Sequence, residues 1–299
     1  MTVDIAFSLN QTLHKPLLVV INSILSNVSE PADNAPGPLR FNVVVPPGDR
    51  TLFQDSFNST FATAIDSGQA SFRIEEFTPP EYLKAYLDKK FKAKTPLRKL
   101  SRYMQYGRLF LSELFPDVGR VIYLDCDTLV LGDVRSLYAQ GERLTRDRYL
   151  AAVPHFFPAA LYFSNPFKIL SDLRQFESTF NSGVLLIDLT YWTEETYDLL
   201  KHYLALDTAH NRRLFQLGDE TVFNLMFKSY VQLDSSWNAC GFGQGHFIAG
   251  LMRKPIEKMN IIHWSGGHHK PWESPKKEGA TDNRVIYADL WRKYLPQTV

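Results

Sequence analysis

Short apolar runs alternate along this chain with stretches of helical spacing, and that alternation constrains its architecture more than any other feature. Residues 3–7, 41–45, 71–77, 121–124, 151–153, 180–189 and 260–263 read as strands. Residues 17–25, 81–90, 100–114, 192–206, 219–227 and 283–294 carry helical spacing. Strands interleaved with helices predict an α/β layer fold, with a mainly parallel central sheet flanked by helices. The chain has 299 residues, 44% of them apolar, so it can bury a large core as one domain or one with a small appendage. The proline-rich stretch 31–38 and the long aromatic-rich stretch 154–180, broken by Pro158 and Pro166, read as irregular.

The formal charge is +1, which gives no reason to expect a nucleic-acid partner. Cys126 and Cys240 make no disulfide framework and lack zinc-knuckle spacing, which fits a reducing compartment. Asp4 stands where a leader would be basic, and no uncharged apolar run reaches the roughly 20 residues of a membrane span. The expectation is a soluble cytoplasmic protein. Two features allow peripheral contact with the inner face of a membrane. One is the basic stretch 84–108, with Lys89, Lys90, Lys92, Lys94, Arg98 and Lys99; the other is the C-terminal helix with Trp291, Arg292, Lys293 and Tyr294. A solvated helix face and a helix packed on the core are the ordinary alternatives.

The chemistry concentrates in two places. The apolar run 121–124 leads straight into Asp125-Cys126-Asp127, and ligands of open α/β sheets sit beyond the carboxyl ends of strands. Two carboxylates one residue apart can turn toward one hard cation, Mg²⁺ or Mn²⁺, and such ions commonly complete their shell with phosphate oxygens. Taken alone, the pair could equally be a turn cap and a surface hydrogen bond. The second place is 262–272, where His263 follows another apolar strand and precedes Gly266, Gly267 and Lys270. An imidazole beside carboxylates shifts the preference toward Mn²⁺, and a lysine can supply charge to a departing diphosphate. Gly266 and Gly267 allow close backbone approach to phosphate. Asp125, Asp127 and His263 are therefore the candidate metal ligands. His268 and His269 read as ordinary surface residues, and Phe156, Phe157, Tyr162, Phe163 and Phe167 as a mixture of core and acceptor platform.

Four blocks, RVIYLDCDTLVLGDV at 120–134, FNSGVLLIDL at 180–189, DETVFN at 219–224 with Trp237-Asn238 downstream, and the 263–272 segment, together resemble glycosyltransferase family 8. The resemblance implies a GT-A fold and a retaining transfer of a hexose from a nucleotide-sugar, usually a UDP-sugar, to a glycan or other hydroxyl acceptor. It implies Mn²⁺ on Asp125, Asp127 and His263, with Lys270 and Gly266 at the diphosphate and Arg108 near donor phosphate or sugar. Asn181 and Asp219 match residues facing the donor sugar, and Asn10 and Leu13 fall where the family places its base contacts. On this reading 1–134 is the nucleotide-binding half, 135–280 the acceptor and sugar half, and 281–299 a C-terminal helix. Three positions depart from the family pattern: six residues rather than five separate His263 from Lys270, Asn10 and Leu13 replace an aspartate and a tyrosine, and Glu220 stands in place of a glutamine. A carboxylate at 220 makes a glycosyl-ester intermediate conceivable, against the plainer reading of an acidic first-turn residue at a helix N-terminus.

Two rivals remain open from sequence. Asp125-Cys126-Asp127-Thr128-Leu129 also fits the nucleophile loop of haloacid dehalogenase-like phosphatases, which would leave the 263–272 block without a role. A noncatalytic nucleotide- or glycan-binding module could share the fold.

Overall fold

The computed structural model of the chain describes residues 2–28, 37–155, 158–267, 269–273 and 285–297. Its strands, in chain order, are β1 (Val3–Ser8), β2 (Leu39–Val45), β3 (Ala70–Glu76), β4 (Arg120–Leu124), β5 (Thr128–Val130), β6 (Leu150–His155), β7 (Thr179–Asp188), β8 (Val231–Gln232) and β9 (Ile261–His263). Seven form one sheet in the order β3-β2-β1-β4-β7-β6-β8, and β5 pairs with β9 apart from it. β7 runs antiparallel to both its neighbours, and every other pair in the large sheet is parallel. The sheet is thus mainly parallel, and the one reversal matters. It sets the start of β7 beside the end of β4, with Val184 opposite Leu124.

The apolar runs are continuous because both faces of the sheet are covered. β4 sends Val121 and Tyr123 into one core and Ile122 and Leu124 into the other; β7 does the same with Leu185 and Ile187 against Val184 and Leu186. Helices Glu81–Lys90, Pro96–Gly107 and Glu194–Ala209 pack into the first core, and His14–Asn27 and Arg50–Thr60 into the second. A third core, with Val19, Leu129, Ile262, Trp264 and Trp291, holds the small sheet.

Several boundaries differ from expectation. The helical segment 100–114 is instead a helix Pro96–Gly107, a 3-10 turn Arg108–Phe110 and a short helix Leu111–Leu114. Thr95 starts it early, its hydroxyl accepting the Arg98 N–H with Pro96 in the first turn. Gly107 lets it lie close on β1, since a Cβ there would press on the Ser8 Oγ at 2.5 Å. The C-terminal helix spans only Ala288–Lys293, and 283–284 lie outside the described residues, as do 31–36 of the proline-rich stretch. Trp291 is buried, with its ring 6.0 Å from that of Trp272, so this helix turns its indole inward rather than toward a membrane. Within the basic stretch Lys90 is buried on Asp207 and Lys99 pairs with Asp88, while Lys89, Lys92, Lys94 and Arg98 are exposed. Of the aromatic set, Tyr162 and Phe163 are buried and Phe167 is exposed, while Phe156 and Phe157 lie outside the described residues. Among the described residues no helix is long and apolar enough to cross a membrane.

Candidate active site

Asp125 and Asp127 leave the end of β4 and are held from two sides. The Asp125 N–H donates to the Gly183 carbonyl at 2.8 Å, and the Trp264 N–H donates to the Asp127 carbonyl at 2.9 Å. Immediately beyond, β5 pairs with β9 so that Thr128 faces His263. This three-residue ladder brings the histidine to the carboxylates. His263 Nε2 lies 3.2 Å from Asp127 Oδ1 and 4.0 Å from Asp125 Oδ2, and one ligand atom from each of the three residues falls within 4.8 Å of the others. Gly183 makes the approach possible, because a Cβ there would overlap the His263 ring.

Lys270 also reaches this point, so the extra residue before it does not displace it from the cleft. Its ammonium donates to Asp127 Oδ2 and to the Trp264 carbonyl, each at 2.5 Å. Burial alone would raise the Asp127 carboxyl, but Lys270 and His263 outweigh it and hold the group well below the usual carboxylate range. Gly266, with φ +118°, lies in a backbone conformation suited to glycine, and a Cβ there would strike the Gly243 backbone. His268 lies outside the described residues.

Deeper in, Arg108 crosses between the elements. It forms an ion pair with Asp219, lies 3.3 Å from Asp125 Oδ1, and donates to the Ser182 carbonyl at 2.6 Å. Burial would weaken this cation, but the Asp219 and Asp125 charges keep it charged. Tyr123 donates to Asp125 Oδ1 at 2.9 Å. Glu220 accepts from Asn181 Nδ2 at 2.8 Å and from the Tyr162 hydroxyl at 3.0 Å. Burial, with the Asp219 charge in support, raises its carboxyl to about 7 against the opposing Tyr162 hydrogen bond. His155, 3.4 Å from the Tyr162 hydroxyl, is pushed down to about 4 by burial and then by the nearby His263.

Two adjoining cavities meet here. One, of about 410 Å³, is lined by Asn10, Arg108, Asp125, Asp127, His263 and Lys270 among others. The other, of about 570 Å³, is walled on its apolar side by Phe91, Leu161, Leu217, Ile248 and Met252. Asn181, Asp219, Glu220 and Gly266 line both. The structure therefore gathers all the site residues named from sequence into one cleft. Asn10 and Leu13 line its edge, but the amide of Asn10 is engaged within the chain: Oδ1 accepts from the Thr12 N–H and hydroxyl, and Nδ2 donates to Ser101 Oγ. Sequence reasoning missed Tyr123 and Gly183 as site residues, assigned no role to Asn238, and placed Tyr162 in the aromatic set without its hydrogen bond to Glu220. Tyr123 could have been found, since it stands two residues before Asp125 at the end of the same strand; the Tyr162 bond to Glu220 spans 58 residues and leaves no local sign.

Residues 4–276 match Glycosyl transferase family 8. The chain is 31% identical over 179 residues to probable galacturonosyltransferase-like 10 of Arabidopsis thaliana, covering 56% of this chain and 48% of that protein. Against probable galacturonosyltransferase-like 4 of the same plant it is 25% identical, over 97% of this chain and 79% of the relative. The chain thus spans about half the length of some of these relatives and most of others. The fold matches the galactosyltransferase LgtC solved with donor and acceptor sugar analogs, at TM-score 0.66 and 18% identity, over 99% of this chain and 97% of that one. It also matches apo GlyE of Streptococcus pneumoniae, at TM-score 0.65 and 18% identity, over 98% of this chain and 60% of that one. With the family's span covering both the carboxylate pair at the end of β4 and the histidine on β9, this chain belongs to glycosyltransferase family 8 and is a glycosyltransferase of GT-A fold.

Proposed function

We propose that the chain transfers a neutral hexose from a nucleotide diphosphate-sugar, in the first instance a UDP-sugar, to an acceptor hydroxyl with retention and with Mn²⁺ as the preferred ion. The observation that carries this reading is the meeting of Asp125, Asp127 and His263 at one point, with Lys270 beside them. The donor set fits such an ion. Two carboxylate oxygens and one imidazole nitrogen within 4.8 Å of one another are donors that a divalent ion of this kind would accept. Asp125, Asp127 and His263 would hold the ion, which supplies Lewis-acid stabilisation of the charge growing on the diphosphate.

In the transfer, the acceptor oxygen ends bonded to the anomeric carbon, the bond from that carbon to the phosphate oxygen breaks with its electron pair on the diphosphate, and the acceptor proton goes to a base. Lys270 offsets charge on the leaving group. Glu220 lines both cavities, and a carboxyl near 7 suits a proton acceptor at neutral pH. Asn181 fixes it in place. The larger cavity, apolar along Leu161, Leu217 and Ile248, is the acceptor's entrance.

A neutral sugar follows from the charges. Asp219 and Glu220 face the inner end of the cleft, and the two cations lining the first cavity, Arg108 and Lys270, are both committed to carboxylates. A uronate would add a further carboxylate there, so the donor differs from what the names of the plant relatives suggest. A panel of UDP-hexoses, UDP-galacturonate and other nucleotide-sugars with Mn²⁺, read by calorimetry and released nucleotide, tests this. Turnover with a UDP-hexose above UDP-galacturonate is expected, and Asp127→Ala should lower it by roughly 10²-fold or more. Metal-dependent transfer by that variant at the normal rate would remove the assignment.

A further inference from the structure

Four side chains run from the metal site to Glu220, and one backbone group settles the direction of every hydrogen bond among them. The Gly183 N–H, which can only donate, lies 3.1 Å from one amide atom of Asn181; that atom must be the oxygen. The Asn181 nitrogen then faces Glu220 Oε2 at 2.8 Å, as a carboxylate requires. The Asn238 atom 3.2 Å from the Asn181 oxygen must be a nitrogen, since two amide oxygens at that distance would repel. Its own oxygen is left facing His263 Nδ1 at 3.0 Å. An amide oxygen only accepts, so Nδ1 carries a proton whether the ring is neutral or charged, and Nε2, which faces Asp125 and Asp127, is the nitrogen left for a metal.

We infer that Asn238 is a positioning residue that locks His263 in the tautomer able to bind a metal through Nε2, and that Asn181 extends the same relay to the Glu220 carboxylate. The inference rests on the metal reading above and adds to it a residue that touches neither ion nor substrate. Asn238 is buried, on the 3-10 turn Ser235–Asn238 that precedes the Ala239–Ile262 bridge, so its amide is held rather than free to rotate. Outer partners of this kind commonly change metal affinity 10–100-fold when removed. They do so by orienting the ring and raising its basicity.

The test has two arms on the full chain. Nitrogen-15 NMR of histidine-labelled apoprotein, with the His263 signals assigned by their loss in His263→Gln, should show a proton on Nδ1 at every pH at which the chain is folded. In parallel, Mn²⁺ binding in the presence of UDP is followed by electron paramagnetic resonance. Asn238→Ala should weaken it about 10–100-fold, whereas Asn238→Asp, which keeps an acceptor for Nδ1–H but turns an oxygen toward the Asn181 oxygen, should lose measurably less than Asn238→Ala. An Nδ1 without a proton in the wild type, or wild-type affinity in Asn238→Ala, overturns the inference. If Asn238→Ala does not fold, the tautomer measurement decides. Wild-type protein with the expected tautomer but no Mn²⁺ binding would sink the metal reading while leaving the relay standing.

Discussion

Glu220 shows how one side chain turns position into pH dependence. Its carboxyl is raised from 4.5 to about 7, chiefly by burial. The folded chain therefore holds this proton where the unfolded chain has released it, and the associated stability is present below pH 4.5 and lost as pH rises through 7. Wild-type protein should lose roughly 1–3 kcal/mol relative to Glu220→Gln between pH 4.5 and 8, as read from denaturant midpoints across that range. Parallel curves for the two proteins would place the group at an ordinary carboxyl value. The same substitution should remove a rising limb near pH 7 from the rate profile. That 220 bears a carboxylate was plain from sequence; its raised proton affinity was not, because it comes from burial that only the assembled cleft supplies.

At the level of elements, what could be read from sequence followed burial. β1, β2, β4 and β7 were legible because strands covered on both faces are apolar without interruption. β5 and β8, three and two residues long, are too short for any period to register. β9 was legible as a strand, yet nothing in Ile261–His263 says that its partner is Thr128–Val130 or that the partner lies outside the main sheet. The helix after Thr95 was misplaced because Gly107 and the 3-10 turn that follows answer to packing on β1. The reversal of β7 likewise has no local sign, though it alone puts Gly183 under the imidazole. Gly183→Ala should cost about 1–3 kcal/mol by overpacking and should weaken Mn²⁺ binding through the displaced ring. Thermal denaturation and metal titration of that variant check both; unchanged metal affinity would mean the ring has room to move.

Across the whole molecule, the cleft draws on segments near residues 108, 125, 181, 219 and 263, so it exists only when the complete fold does. Ligands that occupy it should stabilise the chain globally. UDP at about 100 times its dissociation constant should add about 2.7 kcal/mol to the Mn²⁺-saturated protein and raise the melting temperature, whereas Asp127→Ala should show no such rise. The increment from the pair should also exceed the sum of the increments from each alone. The ammonium of Lys270 already sits on one oxygen of Asp127. Lys270 is thus a built-in counter-charge on Asp127, which a cation binding there would have to displace and to which a pyrophosphate would give a new seat. Two guests so arranged would enter as a couple, and a divalent ion offered without its anionic companion would bind poorly.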